Sequence, residues 1–119
     1  MKATLFQTDK SVKILVFGEE EFSFDIDEKK LGKQLKNDIT YCGVISETSD
    51  SQKSIISTVK PDIVIDLMDP PTIDATYDVT NGRLIPIIKN VDAKSLQSYH
   101  KIFLLIDQIK QIKSQLKLD

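Results

Sequence analysis

Apolar positions along this chain recur first with a spacing of two and later with a spacing of three or four. Residues 2–7 and 12–17 are β-rich runs, and Thr8-Asp9-Lys10-Ser11 between them is a polar turn signal. After Gly18-Glu19-Glu20-Glu21, the residues Phe22, Phe24 and Ile26 alternate with polar neighbours, which predicts a third strand with one buried face. Three strands with short turns read as an antiparallel meander. Asp27 is a helix N-cap candidate, and Leu31 and Leu35 share one face of a short helix to about Asn37. Gly32 weakens that helix by roughly 1 kcal/mol relative to alanine.

The middle of the chain reads as strand, helix, strand. Ile39 to Ile45 is a strand, and Cys42, alternating with Tyr41, is expected as an inert core thiol on a central strand. Ser49-Asp50-Ser51-Gln52 is a capping-box pattern opening a helix with Ile55, Ile56 and Val59 inward, and Pro61 closes it. Asp62-Ile63-Val64-Ile65-Asp66-Leu67 is nearly continuous in apolar character, as in a strand covered on both faces. Together these make a parallel βαβ unit. Asp69-Pro70-Pro71 breaks the chain. Ala75 to Thr80 and Arg83 to Ile88 then flank Asn81-Gly82, a strong two-residue hairpin signal. Pro86 cannot donate to a ladder, so its arm is expected at an edge or paired on one side only. Asp92 is expected to cap a long C-terminal helix running to about Leu118, with Lys110, Lys113 and Lys117 near its negative end. The fold class expected is α/β: a single three-layer domain, residues 1–119, with a mixed sheet, an N-terminal meander, one βαβ unit, a hairpin and a long C-terminal helix.

Composition narrows the function classes. Sixteen basic against 18 acidic residues, a net charge of −2, lack the basic excess of a dedicated nucleic-acid binder, so nucleic acid is not expected as a partner. Lysine so outnumbers arginine that Arg83 alone offers a guanidinium for bidentate anion recognition. One cysteine excludes a disulfide framework and a thiolate zinc site, and one histidine, His100, expected at the surface, disfavours triad chemistry. The N-terminus turns polar at Thr8 without a signal-peptide core, and the longest apolar run, Ile102 to Ile106, is far short of a span. A cytoplasmic protein with no membrane association is expected.

Two features carry candidate chemistry. Ligands of open α/β sheets bind beyond the carboxyl ends of parallel strands, where this chain carries Glu47, Asp66 and Asp69. If those two strands are neighbours, the three carboxylates converge and suit magnesium or manganese, with phosphoryl transfer or hydrolysis as the chemistry. The plainer reading makes them a solvated loop residue, a strand-end acceptor and a turn cap. No glycine-rich phosphate loop follows either strand, and no cofactor is assigned. The second feature is the C-terminal helix. Leu96, Tyr99, Phe103 and Ile106 form one apolar stripe; Ile102, Leu105, Ile109, Ile112 and Leu116 form another with three-four spacing. Beyond Asp107 only the second persists, making Ile109, Ile112 and Leu116 candidate partner-binding residues for a homodimer or another protein. The expected function is a small non-catalytic interaction or regulatory module assembling through that helix; the alternative is the metal-dependent site.

Residues 39–70 resemble the middle of response-regulator receiver domains in Lys60-Pro61-Asp62 and in Asp66, four residues before Pro70. The resemblance implies Asp66 as a phosphoacceptor. Receivers carry an acidic pair after the first strand, where this chain has Phe17-Gly18-Glu19, and the Asn81-Gly82 hairpin has no place in their topology. The element order is also similar to the ribonuclease H-like fold, whose carboxylate cage begins on the first strand; Thr4-Leu5-Phe6-Gln7 has no acid there.

Overall fold

The computed structural model describes residues 2–8, 12–19, 39–46, 52–68, 77–80, 83–89 and 96–115. The expected strand over 22–26, the helix from Asp27, the Asp69-Pro70-Pro71 break, the two turn residues Asn81 and Gly82 and the Asp92 cap lie outside them. Among the described residues six strands form one mixed sheet: β1 (Lys2–Thr8), β2 (Lys13–Gly18), β3 (Ile39–Ser46), β4 (Ile63–Asp66), β5 (Tyr77–Thr80) and β6 (Arg83–Ile88). Their order is β3-β1-β2-β4-β6-β5. β1 runs antiparallel to both β2 and β3, β2 and β4 are parallel, β4 and β6 are parallel, and β5 and β6 form the antiparallel hairpin.

Helix α1 (Gln52–Val59) covers one face of the sheet and α2 (Leu96–Gln115) the other. Period-two alternation divides the strands between these layers. Ile14, Val16, Ile63 and Ile65 meet Tyr99, Ile102, Phe103 and Ile106 of α2. Leu15, Phe17, Val64, Ile85 and Ile87 meet Ile55 and Ile56 of α1. This explains why β4 reads as apolar without a break: Ile63, Val64 and Ile65 are all fully buried, each contributing about 1.5–3 kcal/mol of hydrophobic stabilisation. Ile102 to Ile106 is helical and buried at Ile102, Phe103 and Ile106, while Leu104 faces outward. Tyr99 and Phe103, one turn apart, pack with their rings tilted by 56° and centroids at 6.1 Å.

One condition of the sequence reading is not met, and two expectations about placement change. β3 and β4 run in the same direction, as the strand-helix-strand reading requires, but β1 and β2 lie between them. The chain returns across the sheet because β1 pairs with β3 on one side and with β2 on the other. β3 therefore pairs with β1 alone among the described residues, and Cys42 is exposed rather than in the core. The β1–β3 register shifts between Ala3 and Thr4 and again between Leu5 and Phe6, so β3 carries more residues than its partner and simple alternation fails along it. Finally, β6 lies inside the sheet with β4 and β5 as its neighbours. Proline is accommodated because β4 pairs only with Ile87 and Ile88, beyond Pro86, while Pro86 itself faces Tyr77 of β5.

Candidate functional site

At the amino-terminal end of the parallel strands, Asp62 organises a buried polar junction. Helix α1 ends at Val59, and Lys60 adopts a left-handed backbone (φ 56°) whose N–H donates to the Ile56 carbonyl at 2.9 Å. This is a left-handed helix stop, built here on a lysine rather than the usual glycine. Pro61, itself buried, then directs the chain into β4. The Asp62 N–H donates to the Lys13 carbonyl at 2.9 Å, and Asp62 Oδ2 accepts the Lys13 N–H at 2.8 Å. One residue thus satisfies both backbone groups of Lys13, where β2 begins. The same oxygen accepts Lys113 Nζ at 3.0 Å. The Asp62 side chain is 4% exposed and that of Lys113 15%, so this ion pair joins the last turns of α2 to the sheet in a largely dry setting.

Asp66 sits at the opposite end of β4 and is 1% exposed. Its Oδ1 accepts the Met68 N–H at 3.0 Å, two residues on, a local turn of the kind aspartate favours. The Leu67 N–H meanwhile extends the β2–β4 ladder to the Phe17 carbonyl at 2.8 Å. Glu47 and Asp69 lie outside the described residues. The premise that would bring Glu47 toward Asp66, adjacency of β3 and β4, is not met: three strand spacings, about 14 Å, separate those strands. Among the described residues no group of three or more histidine, cysteine, aspartate or glutamate side chains is placed to hold a metal ion.

The second candidate, α2, divides at Ile106. The first apolar stripe packs into the core through Tyr99, Phe103 and Ile106. The second leaves it gradually: Ile102 is buried, Leu105 and Ile109 pack partly against the core, and Ile112 is 53% exposed. Leu116 lies outside the described residues. From Leu104 to Gln115 the exposed side chains are Leu104, Gln108, Gln111, Ile112, Ser114 and Gln115, none of them charged. The charges of that segment, Asp107, Lys110 and Lys113, occupy half-buried positions instead. His100, expected at the surface, is half-buried, and its Nε2 is enclosed without a hydrogen-bond partner.

Asp62 is the polar residue that sequence reasoning passed over. Its signal was the Lys-Pro-Asp junction itself, which places an acid one residue before a buried strand; the partner, Lys113, is 51 residues away and has no local signature. Comparison with protein-family models, with curated proteins and with solved structures gave no match. Among the described residues no helix is long and apolar enough to cross a membrane.

Proposed function

We propose that this chain is a small non-catalytic interaction or regulatory module that assembles through its C-terminal helix, with a second copy of itself as the partner. The observation that carries this reading is the uncharged exposed face of α2 from Leu104 to Gln115, in a chain where 29% of residues are charged. Depletion of charge marks the centre of protein interfaces more reliably than bulk hydrophobicity does. Glutamine, serine and two large aliphatic side chains brought against their own copy meet no like-charge repulsion. Ile112, continuing the line of Leu105 and Ile109, supplies an apolar anchor.

Sedimentation equilibrium tests it. Wild type is expected as a dimer at micromolar concentration. Ile112→Asp changes a side chain already exposed and so spares the fold; it is expected to lower the mass to that of one chain. A monomeric wild type sinks the assembly. The alternative metal-dependent site has less support, because Asp66 is engaged by the Met68 N–H and the strands that were to bring Glu47 beside it are not neighbours.

A further inference from the structure

We infer that the Asp62–Lys113 ion pair is a latch: it holds the last two turns of α2 on the sheet, and its release frees that segment while the sheet and the earlier turns stay folded. The consequence drawn for assembly rests on the function proposed above; the latch itself stands on geometry.

Burial along α2 falls after Ile106. Tyr99, Ile102, Phe103 and Ile106 are each buried to 4% exposure or less, whereas no residue from Asp107 to Gln115 is fully buried. Segments with few buried apolar contacts open locally at lower free energy than the core does. From this segment Ile109 packs partly against the core, and Lys113 Nζ reaches the sheet at 3.0 Å from a carboxylate with almost no contact with solvent. A buried charge that loses its counter-ion is strongly unfavourable unless water replaces it. Lifting the end of α2 admits that water, so loss of the ion pair and loss of the helix contact reinforce one another. The sheet does not depend on the lysine, because Asp62 keeps the Lys13 N–H at 2.8 Å and donates its own N–H to the Lys13 carbonyl.

Release also bears on assembly. Ile109 is half-buried against its own core while the helix is down. Freeing residues 107–115 turns Ile109 outward to join Ile112, widening the apolar line offered to a second copy. The latch thus restrains the assembly face.

Native-state hydrogen exchange on Lys113→Met, Asp62→Asn and Lys113→Arg tests the latch. In Lys113→Met and in Asp62→Asn, amides of Ile109 to Lys113 are expected to exchange at least tenfold faster, with β4 and Ile102 to Ile106 unchanged. Lys113→Arg, which keeps a cation, should retain most of the protection. Unchanged exchange at 109–113 in both disruptive variants overturns the latch. So does equal acceleration throughout the molecule, or failure of Lys113→Met to fold by circular dichroism. Sedimentation of the same variants separates the two readings: opening accompanied by tighter association supports both, whereas opening without association keeps the latch and discards the assembly.

Discussion

Two backbone positions store conformational cost in opposite ways. Lys60 holds φ 56°, where a side chain costs about 1–2 kcal/mol relative to a right-handed residue. Glycine removes that cost but adds about 0.4–1 kcal/mol of unfolded-state entropy. Lys60→Gly is therefore expected to exceed Lys60→Ala in stability by roughly 0.5–1 kcal/mol, read from urea midpoints at constant slope. Gly43 is the converse. Its φ of 134° lies where only glycine is at ease, and a Cβ built there meets nothing within 4 Å. Gly43→Ala should nevertheless cost about 1–3 kcal/mol, all of it backbone strain; a neutral result would mean that β3 re-registers on β1. Neighbouring Cys42 shows how such a position misleads a reading by pattern. Alternation with Tyr41 assumes a regular strand, but the register shift between Leu5 and Phe6 falls opposite this part of β3, and the thiol emerges into solvent, donating weakly to the Thr40 carbonyl at 3.7 Å.

At the level of elements, what was legible is what burial periodicity and turn chemistry decide. β4 announces itself because a strand covered by α1 and α2 needs apolar residues on both faces, and α2 because its stripe repeats every three or four residues. The hairpin was legible from Asn81-Gly82, whose two residues separate the paired Thr80 and Arg83. Strand order was not legible, because pairing between β1 and β3, or between β2 and β4, joins residues that share no local signal. The acidic corner depended wholly on that order. With β3 and β4 apart, Asp66 has the attributes of a turn-forming residue: buried, at a strand end, accepting the N–H two positions on. Asp66→Ala is expected to cost about 1–3 kcal/mol by leaving the Met68 N–H without its acceptor, and Asp66→Asn, which keeps an oxygen there, clearly less. On the same reading, magnesium or manganese against a chelator leaves the thermal midpoint of wild type unmoved. Since a ligand at a hundred times its dissociation constant stabilises by about 2.7 kcal/mol, a shift of several degrees that disappears in Asp66→Asn would reinstate the metal site.

For the whole molecule, the layered packing leaves the two described helices with unequal tasks. The eight-residue α1 gives its buried side chains, Ile55 and Ile56, to the core on its own face. The 20-residue α2 anchors its first half in the other core and presents an uncharged face along its second. If that face joins two copies, folding and association are linked, and apparent stability must rise with protein concentration. For a fully associated dimer each tenfold increase adds about 1.4 kcal/mol per dimer, or half that per chain. With an unfolding entropy near 2.1 cal/mol/K per residue, a chain of this length should gain about 3 °C in its midpoint for each tenfold step. Calorimetry over a hundredfold range of concentration is thus expected to show a rise of about 5–6 °C in wild type. The rise should vanish in Ile112→Asp, whose substituted side chain is exposed and lies outside the core. A midpoint independent of concentration in wild type would identify α2 as a helix that serves its own domain alone. Its uncharged surface would then be a solvated face without a partner of its own kind.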